Sequence, residues 1–211
     1  MNKIFTIFTI LLIALSTILF AQEQVAKDVL DKLSTTTKSY KNMTIGFDFI
    51  LENTSQNIKE TQKGILILED DNFRLSMDAQ TIINNGESQW VYLTDMNEVQ
   101  IMEHDPEDDM MSPNKLFAIY EKGYKYTYVG AEAEKGKRLQ IIDLFPEESS
   151  AFMKVTLAVD AAKNQLHKIT IHDKNGGTYT YLITAFSSNT TVKPFTFNAT
   201  DFPEVEVIDL R

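Results

Sequence analysis

Gln89-Trp-Val-Tyr-Leu93 and, upstream of it, Gly64-Ile-Leu-Ile-Leu68 are the stretches on which the fold turns. Each is short, rich in β-branched or aromatic residues and bounded by turn-forming residues, so each reads as a strand. Each is also apolar at both parities. Trp90 and Tyr92 alternate with Val91 and Leu93, Ile65 and Ile67 with Leu66 and Leu68, and Ile141-Ile142 repeats the pattern further on. Successive side chains of a strand point to opposite faces, so such strands have both faces covered.

Working outward, further strands follow with little between them. Ile45, Phe47, Phe49 and Leu51 alternate from Asn42 onward, and Phe73 to Met77, Thr81 to Asn84 and Glu98 to Met102 are set off by Asp71-Asn72, Asn85-Gly86 and Met96-Asn97. Tyr124/Tyr126/Tyr128, Leu139/Ile141, Val155/Leu157/Val159, Leu166 to Ile171 and Tyr179 to Phe186 continue the alternation, with hairpin turns at Ala161 to Asn164 and Lys174 to Gly177. Even spacing, short turns and no long intervening helices predict a mainly β (α+β) fold: one large antiparallel sheet that must curl.

Only two helices are predicted as cover. Gln24 to Thr37 carries Val25, Val29, Leu30 and Leu33 on one face, and Asn114 to Tyr120 carries Leu116, Phe117, Ile119 and Tyr120 behind Ser112-Pro113. That is little material for a wide curled sheet. Either the sheet closes on itself as a side-chain-filled barrel or a two-layer sandwich, or it leaves a concave apolar surface for a ligand.

With 211 residues, 43% apolar and 24% charged, the chain is long enough for one domain with a real core. The net charge of −10 and the lack of a basic stripe argue against nucleic-acid binding. The absence of cysteine removes disulfides, thiol nucleophiles and Cys-ligated metals. Lys3 followed by the uncharged apolar run Ile4 to Phe20 reads as a secretory signal cleaved after Ala21, leaving 22–211 as the exported domain.

Motifs for catalysis are missing: there is no G-x-S-x-G, GxGxxG, P-loop or H-E-x-x-H, and neither a catalytic residue nor a cofactor is expected. His167 and His172, five apart on one strand, are expected on opposite faces. Glu103-His-Asp-Pro-Glu-Asp-Asp109 carries five acids in seven residues, but an EF-hand loop from Asp105 would put Met110 where Gly is needed and Leu116 where Glu is needed, so no metal site is assigned. That loop runs into Met110 and Met111, whose flexible thioethers suit a gate over an apolar cavity or simply tuck into the core.

The order of these elements resembles the periplasmic outer-membrane lipoprotein carrier family, LolA. The resemblance is carried by Leu30-x-x-Leu33 in the first helix, the Phe47-x-Phe49 strand, Gly64-x-Leu66 leading to Asn72-Phe73-Arg74-Leu75, and Asn85-Gly86-Glu-Ser-Gln-Trp90-Val-Tyr92. Asn97-Glu98-Val99, Ser112-Pro113 with Leu116 to Ile119, Lys193-Pro194-Phe195-Thr196-Phe197 and a Bacteroidetes-type ending, Asp201 to Arg211, complete it. The resemblance implies an incomplete β-barrel closed by short helices over a cavity for acyl chains. Its expected lining is Leu33, Phe47, Phe49, Leu66, Phe73, Leu75, Trp90, Tyr92, Leu116, Phe117, Ile119 and Tyr126, with Met110 and Met111 in the gate. Trp90 and Tyr92 are expected to face inward, because an amphipathic ring can line a roomy apolar site.

The function implied is a monomeric periplasmic shuttle for acylated lipoproteins, loaded by an inner-membrane ABC-type release complex and unloaded at an outer-membrane receptor. The alternative is a lipid-binding or lipoprotein-sensing module of the same fold. One departure stands out: the family has an Arg that fastens the lid after the G-x-L strand, whereas Leu68-Glu69-Asp70-Asp71 is acidic here and Arg74 comes later.

Overall fold

The computed structural model describes residues 22–104, 118–121, 123–148 and 150–211. The expected signal, residues 1–21, therefore lies outside the described residues, as do Met110, Met111, Leu116 and Phe117.

A helix, α1, spans residues 22–38. Ala26, Leu30 and Leu33 form its buried stripe, with Val29 at the margin. Val25, expected on that face, is instead exposed, because the stripe runs i, i+4, i+7 from Ala26. The exposed side is held by i,i+4 contacts from Gln24 to Asp28 and Lys27 to Asp31.

Everything else is organised by one sheet of twelve described strands. They are β1 (Asn42–Asn53), β2 (Ile58–Glu69), β3 (Asn72–Met77), β4 (Gln80–Asn84), β5 (Ser88–Leu93), β6 (Glu98–Glu103), β7 (Tyr124–Glu134), β8 (Lys137–Pro146), β9 (Phe152–Asp160), β10 (Gln165–Asp173), β11 (Gly177–Ser188) and β12 (Glu206–Asp209). Their order across the sheet is β12-β6-β5-β4-β3-β2-β1-β11-β10-β9-β8-β7. The sheet is thus two antiparallel meanders, β1 to β6 and β7 to β11, joined where β1 pairs with β11. The short helix expected over Asn114 to Tyr120 is not seen in its described part, where 118–120 form a turn.

Cross-strand partners share a face, so register assigns every side chain. Ile45 pairs with Leu66, Leu66 with Leu75, Leu75 with Ile82 and Ile82 with Val91 on one side. On the same face, across β1 in the other direction, Phe49 pairs with Tyr181, Tyr181 with Ile169, Ile169 with Leu157, Leu157 with Ile142 and Ile142 with Tyr128. Phe73 of β3 and Leu144 of β8, six places apart in strand order, join one buried cluster with Leu30 and Leu33. A single helix touches strands so far apart only where the sheet curls around it, so this face is concave and α1 lies in it.

One close approach depends on a missing side chain. Gly64 stands opposite Phe47, and a Cβ there would lie 2.3 Å from the ring's Cζ, so the outer end of the ring occupies the place of a side chain at the glycine.

Candidate functional site

The concave face divides into a packed floor and a half-open wall. Leu33, Phe47, Leu66 and Phe73 are at most 5% exposed, because α1 presses onto the centre of the sheet. Phe49, Leu75, Ile119 and Tyr126 pack against the same cluster but stay half-buried, with Ile82, Tyr179, Tyr181 and Ile183 among them. Phe49 stands with its centroid 5.1 Å from Tyr181 and stacks on Tyr179 at 17°. Apolar surface left half-covered around a single helix can accept flexible hydrocarbon without exposing it to water.

Trp90 and Tyr92 are not on this face. Trp90 pairs with Ile83 and Ile101, and Tyr92 with Thr81 and Val99, at the parity opposite Val91 and Leu93. The convex side of β3 to β6 is covered by the chain after β11. There Phe195 is buried, Phe197 and Phe202 stack at 4.9 Å, and Tyr92 meets Phe202 at 4.4 Å. Ile83 and Val99, at most 5% exposed, belong to this second layer and not to the concave cluster. The inward assignment of Trp90 and Tyr92 is therefore corrected: an amphipathic ring can equally cap a convex face when an aromatic strap lies over it. The signal was present in Phe195, Phe197 and Phe202, large aromatic residues in a Pro-containing segment that reads as no strand of its own.

Arg74, the departure noted in the sequence, belongs to that strap. Its Nη2 donates to the Pro194 carbonyl at 2.6 Å, and its guanidinium stands 5.9 Å from the Phe195 ring centroid. Burial lowers its pKa from the ordinary arginine value. It thus fastens the C-terminal segment on the convex side. On the concave side α1 is tied to the segment before β7 by an acid instead: Ser34 Oγ donates to Glu121 at 3.0 Å, and Lys38 Nζ lies 2.8 Å from the same carboxylate. Buried Tyr120 completes that tie inside the concave cluster.

The titratable groups sort by face. Burial pushes the phenols of Tyr120, Tyr124 and Tyr181 up, since a phenolate would lose its hydration there. On the convex side of the second meander, His172 Nε2 is 3.1 Å from Thr156 Oγ1, which donates to Asp143 at 2.6 Å. Burial, and then Lys154, lower the His172 pKa. His167 sits apart, at a bulge in β10, with Nδ1 3.2 Å from Lys137 Nζ and Nε2 3.6 Å from Glu134. The Asn84 amide, fully buried, meets His104 Nδ1 at 2.8 Å and anchors the end of β6. Among the described residues no group of three or more acidic or histidine side chains could hold a metal, and no helix is long and apolar enough to cross a membrane.

An open, curled antiparallel sheet with one helix in its apolar hollow defines an incomplete-barrel protein. The family described as "Outer membrane lipoprotein carrier protein LolA" matches residues 35–200, and the chain belongs to that family. No curated protein matches it. Among solved structures, an uncharacterized conserved protein from Thermus thermophilus is 10% identical at TM-score 0.55, covering 88% of this chain and 99% of that one. A putative outer membrane lipoprotein-sorting protein domain from Vibrio parahaemolyticus is 12% identical, with coverages of 84% and 95% and TM-score 0.46. The Mycobacterium tuberculosis lipoprotein LppX is 11% identical, with coverages of 79% and 97% and TM-score 0.47.

Proposed function

We propose that this chain is a periplasmic carrier whose concave face holds the acyl chains of lipoproteins in transit from the inner to the outer membrane. Membership of the lipoprotein-carrier family supports the cargo class. The observation that carries the reading is the half-covered apolar wall of Phe49, Leu75 and Tyr126 beside a single helix. Residues 1–21 act as a signal removed after Ala21, the mature chain works as a monomer, and an ABC-type inner-membrane complex loads it for an outer-membrane receptor.

Energetics supports the need for that complex. Each CH₂ is worth about 0.8 kcal/mol against water in a membrane and in an apolar cavity alike, so transfer between them is nearly balanced and the chain alone does not extract cargo. The mature protein is acidic, which disfavours adhesion to anionic headgroups at either membrane.

The test is mass spectrometry of the protein taken directly from its own periplasm, beside the variants Phe49→Asp and Leu75→Asp. Acylated proteins bound to the wild type and lost from both variants are expected. A single free lipid retained by the wild type would move the reading to a lipid-binding module.

A further inference from the structure

The two edges of the sheet are finished differently. Beyond β6 lies β12, a short parallel strand carrying Glu206 and Asp209 at the end of the C-terminal strap. Beyond β7 there is no strand among the described residues, and its pairing is with β8 alone. An unpaired edge presents a row of free backbone N–H and C=O groups, and proteins usually guard such edges with bulges, charges or proline.

The second half of β7 is guarded. Register shifts between Tyr128 and Gly130, where Gly130 has φ +151°, and Glu132 and Glu134 follow. Tyr124 to Tyr128 has no such guard of its own: it holds one charge, on outward-facing Lys125, and neither proline nor bulge, and no other described strand covers it. Its three tyrosines stand on the concave side against the buried cluster, so this stretch of edge is also a wall of the candidate cavity. Val129, at the bulge that ends this stretch, is 56% exposed.

We propose that the edge of β7 from Tyr124 to Tyr128 pairs, by strand addition, with the extended polypeptide that follows the acylated residue of a cargo. This rests on the carrier reading and names where the cargo's chain runs. An acyl group seated against the tyrosine wall is covalently tied to a polypeptide that must leave the hollow, and the edge bordering that wall offers backbone that no described strand pairs. Backbone pairing asks for no particular side chains, so one surface can serve many cargo sequences, while the acyl group selects the class.

The experiment uses the mature protein with four probes: free palmitate, a ten-residue peptide bearing an N-terminal palmitoyl group, and that peptide with backbone N-methyl groups at odd or at even positions. Binding is read by calorimetry and by hydrogen exchange at the β7 amides. A strand exposes its N–H groups alternately to its two sides, so one N-methyl phase is expected to weaken binding about tenfold or more while the other is nearly silent. The unmodified lipopeptide is expected to protect amides within 124–128, and palmitate is not. Equal affinity of all three lipopeptides, or no protection of 124–128, overturns strand addition while leaving the carrier reading intact. Concentration-dependent protection of 124–128 in the free protein would assign the edge to a second copy of this chain and overturn it too. Failure of palmitate and lipopeptides alike to bind would overturn the carrier reading and this inference together.

Discussion

The convex faces of the two meanders are built to different plans. Over β3 to β6 the convex side chains include Ile83, Trp90, Tyr92 and Val99, sealed by Phe195, Phe197 and Phe202. Over β8 to β11 the same side carries Asp143, Thr156, Thr170, Thr180 and His172, half-buried and tied by hydrogen bonds, beside a small buried patch of Leu139, Ile141 and Ala158. On the concave side the two meanders are alike, both apolar and both in the cluster around α1. The difference teaches that one sheet can be single-layered along half its width and double-layered along the other. What decides is where a terminal segment falls.

That contrast can be broken most severely from the concave side. Leu33→Ala removes a fully buried side chain that both meanders share, and should cost about 3 kcal/mol, seen as an earlier urea midpoint by every probe. Gly64→Ala would drive a methyl into the Phe47 ring and should cost about 2 kcal/mol, recovered in large part by adding Phe47→Leu. A loss unchanged by that second substitution would mean the glycine serves its backbone and not the ring.

The convex layer should respond locally. Phe195→Ala should cost about 1.5 kcal/mol, less than a core deletion because the strap can relax. Its mark is a red shift of Trp90 emission with acyl binding unaltered; parallel loss of acyl binding would mean the two layers are coupled. For the same reason a bromine-labelled acyl chain, bound by an independent assay, should leave Trp90 unquenched, since the indole is on the opposite face of the sheet. Contact quenching would return Trp90 to the hollow.

The smallest effect is one of pH. Tyr120, Tyr124 and Tyr181 have folded-state pKa values above those of the unfolded chain, so the stability they carry is whole below about pH 10 and is lost as pH rises through the folded values. Absorbance of phenolate should therefore rise in two stages, the later one coinciding with loss of structure. A single early stage would show the concave tyrosines to be hydrated.

Much of this was legible in the alternation. The strands from Asn42 to Phe186 and the helix at Gln24 could be read because period two and period 3.6 are local properties of side-chain order. The doubly apolar Gln89 to Leu93 did not say which parity lies on which face, because register decides that and register is set by partners distant in sequence. Phe49, Leu75 and Tyr126 lie on the concave side, and Trp90 and Tyr92 on the convex one. The role of Arg74 was hidden similarly, since its partners lie 120 residues further on. β12 was illegible, since its four residues Glu206-Val-Ile-Asp209 are too few to show a period of two.

The seam between β1 and β11 also sets an order of events. Met43 pairs with Ser188, and the Asn42 amide donates to both Glu69 and the Thr190 carbonyl across 148 residues. Each meander is a run of neighbouring hairpins and can form early, but the seam must wait until nearly the last strand has left the ribosome. A growing chain therefore holds half its hollow open, with β1 as an unpaired edge, for most of its synthesis. The step that ends this exposure is the joining of two half-made objects, and the rate of that joining governs how long the chain stays threadable and how long it is open to misassembly.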